Sequence, residues 1–274
     1  MNITKVTAVY FSPTGHTQTV VSCIAQQIAQ SLGVPMETVD FTLPQAREVS
    51  YQFSDTELIV FGTPVYAGRI PNKLLPFVQT GFTGNGALAV PVAAYGNRSF
   101  DNGLIEACVE LERHGFHTVA AAAVPTEHVF SAKLATGRPD AEDLEQLKLF
   151  AKRVAEKVQT AAEIPAAVEV PGDKALDAYY RPMGIDGKPT VFLKAKPVTD
   201  AALCKKCGIC AEVCPMGSIP ADAPDTTAGI CIKCHACLKK CPVHARSFQD
   251  EAFKSHTAML EANFQRRTEI ALFL

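Results

Sequence analysis

Eight of the ten cysteines in this 274-residue chain fall between positions 204 and 241, in two runs of identical spacing. The first is Cys204, Cys207, Cys210 and Cys214, followed by Pro215; the second is Cys231, Cys234, Cys237 and Cys241, followed by Pro242. No basic-then-apolar leader opens the chain and no apolar run approaches the roughly 18 residues that span a bilayer. The expected location is therefore the cytosol, where thiols stay reduced and serve as metal ligands rather than disulfides. Two C-x2-C units can build a tetrahedral zinc site. Zinc has no use, however, for the third cysteine of each triplet.

Both runs match the C-x2-C-x2-C-x3-C-P pattern of bacterial ferredoxins, in which three closely spaced thiolates wrap three irons of a cubane and the fourth iron is ligated from elsewhere. The resemblance implies two [4Fe–4S] clusters, with the fourth cysteine of each run serving the other cluster. One cluster would take Cys204, Cys207, Cys210 and Cys241, and the other Cys231, Cys234, Cys237 and Cys214. The remaining cysteines, Cys23 and Cys108, lie in apolar helical patterns and read as small hydrophobes.

The first 163 residues have a different grammar. Apolar runs at 5–11, 34–41, 57–63, 87–94 and 117–124 read as strands. Helical spacing at 15–32, 72–79, 101–114 and 140–162 fills the gaps between them. Such alternation predicts an α/β fold, a doubly wound five-stranded parallel sheet whose ligands gather at the carboxyl ends of the strands. Residues 164–202, rich in Pro, Gly and Lys, read as a linker that Tyr179, Tyr180, Val191, Phe192 and Leu193 pack against a domain. The expected division is 1–163, linker 164–202, a small α+β cluster domain at 203–247, and a docking tail at 248–274 read as an amphipathic helix.

Three loops at the expected strand ends carry further chemistry. Ser12, Pro13, Thr14, Gly15, His16 and Thr17 resemble the (S/T)-x-T-G-x-T phosphate loop of flavodoxins, where hydroxyls and helix N-terminal amides bind a phosphate monoester. Thr63, Pro64, Val65, Tyr66 and Ala67 follow the third strand, and Tyr95, Gly96, Asn97 and Arg98 follow the fourth. Both resemble the loops that hold the isoalloxazine ring in flavodoxin-like proteins. That likeness implies FMN, with Tyr66 stacked on the ring and Arg98 beside it. Neither a nucleotide-hydrolase P-loop nor a dinucleotide fingerprint is present.

Taken together, these segments resemble the single-chain flavodoxin–ferredoxin fusion proteins of anaerobes. The resemblance implies an electron relay between the two clusters and FMN, linking a low-potential one-electron donor to an acceptor. The alternative is an FMN-dependent reductase of a small molecule, a quinone or nitro compound, fed by the clusters. The loop at 125–139, with His128, Phe130 and Lys133, distinguishes these: it either roofs a substrate pocket or seats the cluster domain, and the second is expected. A formal charge of −2 gives no reason to expect nucleic acid as a partner. A redox protein, donor or acceptor, is expected, and a homodimer is compatible with the sequence. Between positions 204 and 247 six basic residues face three acidic ones.

Overall fold

A computed structural model describes residues 2–176 and 178–274. Its main sheet has the order β11-β8-β6-β4-β1-β2. These strands are β1 (Lys5–Tyr10), β2 (Met36–Asp40), β4 (Glu57–Pro64), β6 (Leu88–Tyr95), β8 (Ala121–Pro125) and β11 (Ala271–Phe273). The first five pair in parallel, and β7 (His117–Thr118) extends the ladder on β6. By position in the chain the parallel order is 2-1-3-4-5, the doubly wound flavodoxin-like arrangement. Two-residue strands β3 (Tyr51–Gln52) and β5 (Phe82–Thr83) pair apart from it.

Helices α1 (His16–Leu32) and α4 (Ala141–Thr160) cover one face, burying Val20, Val21, Ile24, Ile28, Leu147, Phe150 and Val154 against β1, β4 and β6. Asp140 caps α4, accepting from the Asp143 amide at 3.0 Å, while Asp143 accepts from the Asp140 amide. This reciprocal box fixes the helix start. The opposite face is aromatic, with Phe11, Phe41, Phe61, Phe82 and Phe116 buried, and α3 (Gly103–Arg113) closes it.

Two expectations need correction. The stretch 72–79 is helical only over α2 (Leu75–Val78). Pro76 supplies no amide hydrogen for the carbonyl of Asn72, so the ladder is interrupted there. The tail is not one helix: α7 (Glu251–Asn263) ends, and residues 271–273 return as an antiparallel edge strand on β8. Ile270 and Leu272 pack toward α1 and α4, whereas Ala271 and Phe273 pack toward α3. That is the two-residue alternation of a strand.

The linker carries no long element. Val168 and Val170 pack beside β8, the Val168 amide donating to Thr118 O. Tyr179 Oη donates to Ile70 O at 2.8 Å, and Phe192 joins Phe248 and Phe253. Val191 and Leu193 are instead solvent-exposed.

The cysteine region is a twofold repeat with a period of 27 residues, readable in the backbone. Lys206 and Lys233, Gly208 and His235, and Gly217 and His244 all have positive φ at matching places. Single helical turns α5 (Ile209–Glu212) and α6 (Ala236–Lys239) also correspond. Strand β9 (Val198–Thr199), before the first run, pairs antiparallel with β10 (Arg246–Ser247), after the second, and closes the repeat.

Candidate redox centre

The two repeats fold so that the thiols divide between two cavities. One, about 370 Å3 of empty space, is walled by Cys214, Cys231, Cys234 and Cys237 with Pro197, Ile219, Phe248 and backbone around them. The other, about 340 Å3, is walled by Cys204, Cys207, Cys210 and Cys241 with Pro224, Val243 and Arg246. The donor set in each is four sulfurs. Among the described residues no three histidine, cysteine or carboxylate side chains gather closely enough to hold a single metal ion.

Backbone amides are aimed at the sulfurs. Ser218 N–H donates to Cys214 Sγ and Ala245 N–H to Cys241 Sγ, each at 3.3 Å and at equivalent places in the repeat. Lys233 N–H donates to Cys231 Sγ at 3.4 Å. Such donors stabilise a sulfur carrying negative charge. Burial pushes the thiols of Cys231, Cys234 and Cys237 up, Cys237 to about 12.

The two cavities are not equivalent in the molecule. The one walled by Cys214, Cys231, Cys234 and Cys237 is pressed against the flavodoxin-like half. Arg47, which donates to Phe41 O at 2.8 Å, also donates to Pro215 O, and Ile232 packs on the aromatic core. Phe130 lies 5.1 Å from the His235 ring and 4.7 Å from Phe253, and Lys239 pairs with Glu127. Lys133 pairs with Glu261 of α7 at 2.9 Å. The loop at 125–139 is thus a seat for the C-terminal half. The second cavity lies away from this seam, with Cys207 exposed.

The three loops leave the same edge of neighbouring strands, because Tyr10 registers with Gly62, and Thr63 and Pro64 with Ala93 and Ala94. In the first loop, Gly15 stands at the start of α1 with φ 94° and no side chain capping it. Ser12 Oγ accepts from the Gln18 amide at 2.9 Å, and Thr14 Oγ1 lies 3.4 Å from His16 Nδ1. Thr17 is buried. His16 has its pKa lowered by burial and then by Lys239, so this loop lies beside the seam.

In the second loop, Val65 N–H donates to Ala94 O, and Tyr66 forms a bridge with Arg69 across Ala67, which has φ 49°. Burial, then the neighbouring Cys234 and Cys231, raise the Tyr66 phenol well above its ordinary pKa. In the third, Tyr95 is buried and His128 fills the space beside Gly96, where a Cβ would stand 2.2 Å from the ring. Asn97 Nδ2 donates to Phe264 O and Arg266 O at 2.6 and 2.7 Å, which ties the loop to the tail. Arg98 pairs with Asp101 and lies 3.9 Å over the Tyr180 ring. Its charge is balanced from its own loop, and the linker covers it.

Sequence reasoning missed the partners that tertiary contact supplies. Tyr180 over Arg98, His235 in the seam and Arg246 at the outer cavity carry no motif. Only the buried position of Arg246 beside Thr227 and Pro224 distinguishes it from a surface cation.

Comparison with known proteins gives two family matches. The flavodoxin domain family matches residues 8–89 and the 4Fe-4S binding domain family matches residues 196–219, around the first cysteine run. No curated protein matches the chain. Among solved structures, a flavodoxin from the domain Archaea is 17% identical with a TM-score of 0.40, over 57% of this chain and 99% of that one. A Streptococcus pneumonia flavodoxin is 20% identical with a TM-score of 0.37, over 56% and 99%. The rubredoxin oxygen:oxidoreductase from the anaerobe Desulfovibrio gigas is 15% identical with a TM-score of 0.41, over 58% of this chain and 37% of that one. The family matches and the sheet order together place an N-terminal flavodoxin-like domain and a separate iron–sulfur-binding domain in one polypeptide.

Proposed function

We propose that this chain is an intramolecular electron relay, holding FMN in its N-terminal half and two [4Fe–4S] clusters in its C-terminal half. It links a low-potential one-electron donor to an acceptor. The observation that carries this reading is the division of eight thiols into two four-sulfur cavities, one of them seated on the flavodoxin-like half through Arg47, Ile232 and Phe130. Bound there, the clusters would supply one-electron chemistry and FMN an exchange between one- and two-electron chemistry.

The chain's own residues bind, space and insulate. Ser12, Thr14, Gly15, His16 and Thr17 would hold the phosphate. Thr63, Pro64, Val65, Tyr66 and Ala67, with Tyr95, Gly96, Asn97 and Arg98, would frame the ring. Cys214, Cys231, Cys234 and Cys237 would hold the inner cluster and Cys204, Cys207, Cys210 and Cys241 the outer one, nearest to a redox-protein partner. Phe130, Phe248, Phe253 and His235 keep the seam apolar, and burial holds the His235 ring neutral with a pKa near 3. The seam favours a relay over a small-molecule reductase, because the loop that would roof a substrate pocket is spent on seating the cluster domain.

An anaerobic visible and EPR titration, with FMN, iron and zinc quantified on the same sample, tests the proposal. One FMN and about eight irons per chain, reducing in distinguishable steps, are expected. Zinc in place of iron, or no flavin at saturating FMN, would overturn it.

A further inference from the structure

The two cavities are related by the 27-residue repeat, yet their walls differ in charge: Lys205 and Arg246 stand at the outer cavity where Ile232 and Ile219 stand at the inner one, and of these two cations only Arg246 is buried. Arg246 stands at the outer cavity, and its counterpart in the first repeat, Ile219, stands at the inner one. Both are buried, each 5% exposed. Arg246 Nη1 lies 3.6 Å from Cys210 Sγ. Its other bonds go to neutral groups: Nη1 to Pro224 O at 2.7 Å, and Nη2 to Thr226 O at 3.3 Å and to Thr227 Oγ1. Its Nε is buried without a hydrogen-bond partner. Among the described residues no carboxylate lies within ion-pair distance of it; the nearby Asp225 pairs with Lys206 at 3.3 Å.

A guanidinium keeps its charge when buried, and a buried charge without a counter-charge is costly. The four-thiolate centre of the outer cavity is the anion that this arginine lacks. Hydrogen bonds to sulfur and local charge are what tune the potential of such centres. Adding one electron adds one negative charge, so a buried cation stabilises the reduced form, the more so in a low-dielectric setting. Ile219 brings no charge to the inner centre, whose neighbouring cations are Lys233, with Nζ on Cys231 O at 3.1 Å, and Arg246 acting from the other cavity without a bond to an inner sulfur.

We infer that Arg246 is a positioning residue that serves as the built-in counter-cation of the cluster held by Cys204, Cys207, Cys210 and Cys241, making that outer cluster the higher-potential of the two. The inference rests on the two-cluster reading above. With clusters bound, the outer site would be the favoured place for the first electron.

Spectroelectrochemical titration followed by EPR, on full-length protein with iron and FMN counted in each sample, tests it. The wild type is expected to show two separated cluster potentials. Arg246→Ile, which copies the inner wall, lowers the upper one and narrows the gap, while Arg246→Lys, which keeps the charge, retains most of the gap. Coincident potentials in the wild type would overturn the inference without any variant. So would an unchanged gap in Arg246→Ile, or an equal collapse in Arg246→Lys, which would mark packing rather than charge. A sample with fewer than two clusters in the wild type refutes the two-cluster reading instead.

Discussion

Replacing Arg138 with methionine is the sharpest probe of how the C-terminal half is held in place. Arg138 is 5% exposed; its Nε and Nη2 donate to Asp143 at 2.8 and 2.5 Å, and its Nη1 donates to Thr268 O at 2.5 Å. Asp143 is fully buried in the first turn of α4, and Thr268 lies on the path that leads into β11. Removing one partner of a buried pair costs about 3–5 kcal/mol, because the other charge stays buried. Here Asp143 keeps two donors, the Asp140 amide at 3.0 Å and Arg267 Nη2 at 3.2 Å, which puts the cost near the lower end, about 3 kcal/mol. At roughly 2–4 °C per kcal/mol, the melting temperature falls by about 6–12 °C. The assay is a thermal melt followed by circular dichroism at a fixed scan rate, with Arg267→Met alongside. Arg267 is 42% exposed on its side chain, so its loss costs about 1 kcal/mol or less. A fall of under about 2 °C for Arg138→Met, or equal falls for both variants, would refute the assignment of Arg138 as the buried clamp.

Other expectations follow from the loops. A Cβ at Gly62 would stand 2.2 Å from Val21 Cγ2 and 3.1 Å from Thr17 Cγ2, so Gly62→Ala lifts the start of α1 off the sheet. It should cost about 1–3 kcal/mol and weaken FMN binding in a fluorescence titration; wild-type stability would contradict it. Asn97→Ala leaves two carbonyls of the tail without donors, at about 2 kcal/mol, and should speed tryptic cleavage at Arg266 and Arg267; an unchanged digestion rate counts against that role. His128 has its pKa lowered to about 4, by burial first and then by His256, Lys239 and Arg98. The folded state therefore prefers the neutral ring, and this stability is lost as pH falls from about 6.5 through about 4. Between pH 7 and pH 5 the wild type should lose about 2 kcal/mol more than His128→Gln in urea denaturation, and parallel pH profiles would sink the assignment.

Much of this architecture is local and so legible in the chain. The spacing within each cysteine run is set by reach along a few residues of backbone, and the helix faces of α1 and α4 follow from their 3.6-residue period. The loops at 12–17, 63–67 and 95–98 share one edge because β1, β4 and β6 are parallel neighbours, a consequence of the alternating strand and helix pattern. Proline chemistry at position 76 was also present in the sequence, and it interrupts the hydrogen-bond ladder at α2. Strand β11 was harder to read, since three residues are too few for an alternation to stand out from a helical pattern.

What the sequence by itself determined is the inventory: a doubly wound sheet, a repeated four-cysteine run, and three loops at the carboxyl ends of strands. Tertiary structure alone decided that Cys214, Cys231, Cys234 and Cys237 share one cavity, that Phe130 seats the cluster domain, that Asn97 and Arg138 hold the returning tail, and that Arg246 is a buried cation where its repeat partner is Ile219. The physical reason is range. Spacing and periodicity act over a few residues, whereas burial of a charge or a choice between two similar cavities depends on groups far away in the chain, as with Asn97 and Arg266, 169 residues apart.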